Sequence, residues 1–482
     1  MKENSTSGSA ISTFRAGDNS PISSVEQKHE GPAAVLSLTD AVALIVGVVL
    51  GAGIFRTPSM VAANVDSGTL FLLAWLMGGF VSLVGALCYA ELATSFPNTG
   101  GDYHFLMRAF GRRLAFLFAW ARLSIIQTGS IALLAFIFGD YASRIWNLGE
   151  FSSVIYAALV VISLTSINIL GLRLGTGTQK FLTSVEVAGL LMIIVAGFFY
   201  APELSVTRTP ASDPSAGSSS TGLAMVVVLL TFGGWNEAAY ISAEMKTGKK
   251  QIAKALIISI IVITSIYVLV NMAFLTGLGL DNMARSEAVA VDLMQVTIGQ
   301  AGVLFIGLLV AISSLTSVNA TIFTGARSNY ALGRDFPVLK RLSKWNTRRA
   351  APVNAFLIQG VISLLLISMG LFTRKGFETM LEYTAPVFWF FFLLIGISLF
   401  VLRYKEPATD RPYRVPLYPV TPIIFCLMSA YLLYSSIVFT GVGAFVGIGI
   451  LLVGLIVLLV IERSTRRSLA IPYLGDYESI EK

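Results

Sequence analysis

Residues 47–58 read GVVLGAGIFRTP, placing Gly47, Gly51 and Gly53 inside an apolar run that is preceded by AVALIV and followed by MVAANV. Each glycine in a helix interior costs roughly 0.5–1 kcal/mol relative to alanine. A segment long enough to cross a membrane is thus weakened at its centre. The flanks predict a helix and the glycines predict a break in it.

The rest of the chain has the same character. Of 482 residues, 55% are hydrophobic and 13% charged, with a mean hydropathy of +0.76, which places the chain among integral membrane proteins. Apolar runs long enough to cross a hydrocarbon core of about 30 Å as helices recur at 37–63, 68–95, 113–144, 152–170, 181–200, 221–246, 252–279, 300–331, 352–372, 377–403, 418–440 and 442–462. They are continuous rather than alternating, which excludes a transmembrane β-barrel. The expectation is an all-α integral membrane protein of twelve helices with both termini on one side. The polar stretch 1–36 has no apolar h-region and reads as a disordered cytoplasmic tail rather than a signal peptide. Residues 464–482 form a second tail. Cys88 and Cys426 lie inside apolar runs and read as small buried hydrophobes, with no metal site implied.

Basic residues fix the orientation. The connections sharing a face with the termini carry Arg108, Arg112, Arg113, Arg173, Lys180, Arg327, Arg334, Arg348, Arg349, Arg403 and Arg411 among others, whereas the opposite loops offer Arg144, Arg208, Arg285, Arg374 and Lys375. By the positive-inside rule both termini are cytoplasmic, in a cell's cytoplasmic membrane. The pI near 9.3 then reflects topology and not nucleic-acid binding.

The Ser- and Pro-rich loop 201–220 divides the chain into halves, 37–200 and 221–403, followed by 404–463 with the last two spans. The first span of the second half contains LLTFGGWNE at 229–237, a glycine break in the position that matches GVVLGAGIF. The first half begins inside and the second outside, so the halves are inverted repeats. Paired broken helices of this kind point to the central site of a secondary transporter. Unwinding at mid-membrane frees backbone groups that must face protein or water. The N–H groups of Gly51, Ala52 and Gly53, leading into Ile54, suit a carboxylate. The carbonyls around Val48 and Val49, and from Leu230 through Phe232 to Gly233 and Gly234, suit an ammonium group. Close helix packing by small residues is the alternative reading of either cluster.

Five stretches, LIVGVVLGAGIFRTP (44–58), GALCYAELATSFPNTGGDYHFL (85–106), RLGTGTQKFLT (173–183), GGWNEAAYISAEM (233–245) and FTGARSNYALGRD (323–335), together resemble the L-type amino-acid transporters of the amino acid–polyamine–organocation superfamily. The resemblance covers nearly residues 37–462. It implies the five-plus-five inverted-repeat (LeuT-like) fold with helices 1 and 6 unwound, and amino acids or close amine relatives as substrates. It puts the carboxylate site on Gly51, Ala52 and Gly53, and amine and side-chain contacts on Phe232 to Asn236. This chain departs from the pattern at three places. Ala52 stands where many members have serine, and Leu230 where members handling large substrates have an aromatic gate. Ser143 stands where animal members have the cysteine that joins a glycoprotein heavy chain, so no disulfide-linked partner is expected.

Charges within the spans are candidates in their own right, because an acidic group at mid-membrane costs about 2.5–3.5 kcal/mol on insertion scales. Glu186 lies in the fifth span, where the family often has lysine in place of a coupling cation. It reads as a proton site, as part of a cation site with Ser313 and Ser314, or as a structural group. Arg122 reads as a partner for Glu186, as a contact for a substrate carboxylate, or as a structural pair. Gln127 reads as a packing hydrogen bond or a substrate contact. Asn236 follows the second break and is a substrate or interhelical contact, with Trp235 beside it as core. Glu91 and Glu244 read as gate-locking or structural ion pairs, and Asn319 as a helix-to-helix hydrogen bond. The only histidines, His29 and His104, stand in the tail and near a loop. Neither a catalytic constellation nor a nucleotide fingerprint accompanies them, so no enzyme and no cofactor is expected. A channel for small amines or amino acids is the rival of another class. Proton symport, sodium symport and exchange are the rivals within transporters.

Overall fold

The computed structural model describes residues 34–199, 221–246, 248, 250–369, 385–441 and 444–469. The tails at 1–33 and 470–482, His29, the connection at 201–220, and the junction expected between the ninth and tenth spans lie outside the described residues.

Ten helices among the described residues are long and apolar enough to cross a membrane. Two further spans complete the expected twelve. The first is divided into α1 (Leu38–Val49), a 3-10 turn (Ala52–Phe55) and α2 (Thr57–Ala62). The ninth is described over Val353–Met369. In order, the chain continues through α3 (Gly68–Ser95), a short connecting α4 (Asp102–Phe110), and a third span built from α5 (Arg112–Ala121), a π turn (Arg122–Ile126) and α6 (Gln127–Ile145). Next come α7 (Ser152–Leu170), α8 (Leu172–Phe199) and α9 (Thr221–Thr231), the last followed by a 3-10 segment (Trp235–Glu244). The second half runs through α10 (Lys250–Leu278), α11 (Leu280–Arg285), α12 (Val289–Ile298), α13 (Gln300–Asp335) and α14 (Val353–Met369). Three final helices, α15 (Ala385–Lys405), α16 (Val420–Thr440) and α17 (Ala444–Leu469), close the bundle.

Local chemistry sets the ends. Ser37 and Asp40 form a reciprocal capping box at the start of α1. Ser67 caps α3 by accepting from the Leu70 N–H. Pro58 falls in the first turn of α2, where its missing N–H costs nothing.

The packing is symmetric between halves. Span 2 lies along span 7 (α3 on α10), span 3 along span 8 (α6 on α13), span 4 along span 9 (α7 on α14), and α1 touches the lower half of span 6. Each pair joins one span to the span five places later, as a two-fold relation between the repeats requires.

Several boundaries differ from those read in the sequence. The fifth span begins at Leu172 rather than 181, and the eighth reaches Asp335, because polar residues such as Gln179 and Asn329 are buried against other helices. Residues 35 and 36, expected in the tail, are held on span 6. Val35 and Leu36 donate their N–H groups to the Glu244 carbonyl, and the Lys246 N–H donates to the Leu36 carbonyl. Short helices α11 and α12 fill the connection before span 8, and α17 extends to Leu469.

Candidate substrate and coupling site

The two glycine breaks meet. Gly234 has φ +108°, a left-handed conformation that favours glycine, and a Cβ there would stand 2.5 Å from the Val48 Cγ1. One side chain joins both breaks. The buried Tyr267 hydroxyl of α10 lies 2.6 Å from the Val49 carbonyl and 3.2 Å from the Thr231 carbonyl. Phe232 packs edge-on against the Tyr267 ring at 4.9 Å and near Trp75.

Helix unwinding orphans carbonyls, and in the first break hydroxyls take them up. Ser313 donates to the Leu50 carbonyl (3.1 Å) and Ser317 to Gly47 (3.2 Å), while Thr57 adds a second donor to the Gly53 carbonyl (2.8 Å), which also accepts from the Arg56 N–H, and Thr183 adds one to Ala43 within α1 (3.0 Å). This corrects one expectation, since the Val49 carbonyl is engaged by Tyr267 rather than left open for an ammonium group. The Leu230 carbonyl likewise accepts from the Gly233 N–H. The first N–H groups of a 3-10 turn have no intrahelical acceptor, and the turn at Ala52–Phe55 has no side-chain cap. The N–H groups of Gly51, Ala52 and Gly53 have no acceptor among the described residues. Ile54 contributes backbone alone, its side chain being fully buried.

The three glycines of the opening run divide by role. A Cβ on Gly47 would stand 2.4 Å from Gln179 and Thr183 and 2.5 Å from Thr316, so Gly47 is a packing glycine. A Cβ on Gly51 would stand 2.9 Å from Ser317, and one on Gly53 3.3 Å from Thr231. Beside the sixth break lies a cavity of about 40 Å³ bordered by Val81, Gly233, Asn236, Phe388 and Trp389, room for water rather than for an amino acid.

Glu186 is fully buried, and neither carboxylate oxygen has a hydrogen-bond partner among the described residues. The hydroxyl-bearing residues facing it are Ser313 and Thr316, whose protons go to the Leu50 and Ile312 carbonyls. Ser314, expected beside it as a cation ligand, donates instead to Val310 within its own helix.

Arg122 is not its partner. The guanidinium lies on the other side of the site, bonded to Glu237 at 2.6 and 2.8 Å and stacked over the Tyr240 ring at 4.2 Å. The π turn beginning at Arg122 places it against the lower half of span 6. Asn236 donates to Asp102 of α4 at 3.3 Å, and Trp235 packs among Tyr89, Phe392 and Phe425. Gln127 donates to the Thr321 carbonyl, and Asn319 to Gln179 and Gly175 while accepting from Asn168, so both tie helices together. Leu230 is half-exposed.

Both acidic residues placed near span ends are paired. Glu244 and Arg327, each almost wholly buried, make a bidentate ion pair, and Arg327 also stacks on Phe323. Glu91 accepts from Arg403 at 2.6 and 2.7 Å and from the Val415 N–H at 2.7 Å. Sequence reading missed Tyr267, Asp102 and Glu237, and it placed Arg327 among the basic residues of the connections when it is core. Glu237 carried a usable signal, an acidic residue next to Asn236 in a broken span. Tyr267 carried none, being one aromatic in an apolar helix.

A multi-span helical bundle with two facing helix breaks defines a membrane transporter. The amino acid permease model matches residues 36–461, so the chain belongs to that family, and its relatives place it in the L-type branch. It is 30% identical over 430 residues to the b(0,+)-type amino acid transporter 1 of Mus musculus, covering 88% of this chain and 87% of the relative. It is equally 30% identical over 433 residues to the large neutral amino acids transporter small subunit 2 of Homo sapiens, covering 87% and 78%. The amino acid transporter class predicted from the sequence agrees with these findings.

Proposed function

We propose that this chain is a secondary active transporter that moves amino acids across the cytoplasmic membrane by alternating access, with both termini in the cytoplasm. The observation that carries the reading is the meeting of the two breaks. Free N–H groups of Gly51, Ala52 and Gly53 stand on one side and the Leu230–Gly234 bend on the other, within reach of the two ends of one zwitterion. Ala52 supplies no hydroxyl, so the carboxylate is gripped by backbone alone. The matched family and the amino acid transporters among its relatives support the substrate class.

Glu186 is the coupling residue in this reading, and a proton is the coupled ion. An ionised carboxylate with no counter-charge among the described residues, faced only by hydroxyls whose protons go to backbone carbonyls, is costly at this depth, and a bound proton removes that cost. Ser314, turned into its own helix, weakens a sodium site here. With Ser143 donating to the Gly139 carbonyl, the chain offers no thiol at that position for a heavy chain.

The test is uptake into proteoliposomes under imposed pH or sodium gradients, with wild type and Glu186→Gln. The expected result is uptake driven by an inward proton gradient in the wild type and lost in the variant, while substrate binding persists. Gradient-driven uptake unchanged in the variant overturns the coupling role. Conductance far above carrier turnover overturns the transporter reading in favour of a channel.

A further inference from the structure

Beneath the sixth break lies a second polar cluster that the transport reading does not use. Asp102 opens α4, Tyr89 comes from α3, Arg122 from the π turn, and Asn236, Glu237 and Tyr240 from the 3-10 segment of span 6. All but Glu237 are at most 5% exposed, and the Glu237 side chain is 11% exposed. The backbone turn before Asp102 lies flat on the Tyr240 ring, since a Cβ on Gly101 would stand 2.7 Å from it. Four buried polar atoms here, the Asp102 Oδ1, the Arg122 Nε and the hydroxyls of Tyr89 and Tyr240, make no hydrogen bond of good geometry among the described residues, although both tyrosine hydroxyls face the Asp102 carboxyl.

The charges do not balance. Arg122 is already committed to Glu237, so an ionised Asp102 leaves one negative charge in excess in a buried site. Buried charge of that kind is relieved by neutralisation. A proton on Oδ1 removes the excess, turns an orphaned acceptor into a donor, and leaves Oδ2 to accept from Asn236.

We propose that Asp102 is a proton-binding site, holding a proton on its carboxyl while the lower half of span 6 is docked on α4 and releasing it to water when that contact opens. Burial raises the Asp102 carboxyl from the ordinary aspartate value to about 7, with Arg122 opposing the shift, Glu237 adding to it, and the Asn236 amide and Tyr89 hydroxyl opposing it more weakly. The docked arrangement takes up a proton relative to a water-exposed Asp102. Its preference for docking is full below the ordinary carboxylate range, declines as pH rises, and is gone above about 7. Asn236 gives the site its reach, because it bonds Asp102 and sits two residues after Gly234. Proton occupancy thereby biases closure of the arginine-rich end. The inference rests on the transporter reading but not on Glu186.

The experiment is a pH-difference infrared titration of the purified full chain in lipid nanodiscs, which reads the protonated-carboxyl band directly. The wild type is expected to lose such a band with a midpoint near 7. Asp102→Asn lacks that component, and Glu186→Gln keeps it. Glu237→Gln removes a repelling charge and frees Arg122, so its midpoint moves to lower pH by about one to three units. A wild-type-like band in Asp102→Asn, or an unmoved midpoint in Glu237→Gln, overturns the proposal. Loss of the band in Glu186→Gln alone assigns it to Glu186 and overturns it equally. If Asp102→Asn fails to fold, Glu237→Gln decides.

Discussion

The two broken spans look alike in sequence, each a glycine pair in an apolar run, yet they are held by different chemistry. The first break is held by neutral hydroxyls: Tyr267, Ser313, Ser317 and Thr57 each donate to one of its carbonyls. The sixth continues into ten residues of 3-10 helix, well beyond the usual three or four, and that segment is clamped by charge through Arg122–Glu237, Arg327–Glu244 and the Asn236–Asp102 bond. A single hydroxyl bond contributes about 0.5–1.5 kcal/mol and is readily exchanged for water. A buried ion pair resists separation, because either partner alone is left charged and desolvated. The first break is thus tied by single hydroxyl bonds that water can replace, whereas the lower half of span 6 is tied to spans 3 and 8 by buried ion pairs and to α4 by one neutral hydrogen-bond donor.

The largest effect is expected on the charged side. Arg327→Ala strands the buried Glu244 and should lower stability by about 3–5 kcal/mol, read as unfolding free energy in mixed micelles. Replacing both partners by apolar residues should cost clearly less than either single change, and equal losses would refute the clamp. Next come the glycines. Gly234→Ala meets both a left-handed φ and Val48, and Gly47→Ala meets three side chains, so each should cost about 1–3 kcal/mol, checked by the same unfolding measurement. Tyr267→Phe leaves the Val49 carbonyl without its hydroxyl donor and should cost about 1–3 kcal/mol, with substrate affinity reduced because the hydroxyl standing between the two breaks is lost. Smallest is the exposed Arg108–Glu406 pair. Glu406→Gln should change stability by no more than about 1 kcal/mol, and that contribution should fade as pH falls, because Arg108 beside it helps hold the Glu406 carboxyl below its ordinary range.

Much of the architecture was legible because the bilayer imposes it. Twelve runs and the paired glycine breaks follow from hydropathy and spacing, and both are found in the helices described. Partnerships were less legible. Arg122 and Glu186 are both costly charges in spans, but Arg122 is bonded to Glu237 of span 6 while Glu186 faces Ser313 and Thr316 of span 8. Which face a residue presents depends on the local π turn, which the sequence RLSII does not announce. Gly47 and Gly51 are four residues apart and look equivalent, but one packs against Gln179 and the other borders the break. Buried polar residues such as Gln179 and Asn319 lengthened helices beyond their apolar runs, because helix-to-helix hydrogen bonds satisfy what hydrocarbon cannot.

In the proposed site the two breaks together hold the α-amino and α-carboxylate groups of an amino acid, with backbone N–H groups at Gly51, Ala52 and Gly53 as the grip. Its most direct test is the thermal stabilisation of purified protein by amino acids, compared with the matching amines lacking the carboxylate and acids lacking the amine. Stabilisation by one or more amino acids is expected, and its loss when either group is removed. Stabilisation by the amines or acids with none by any amino acid would contradict it.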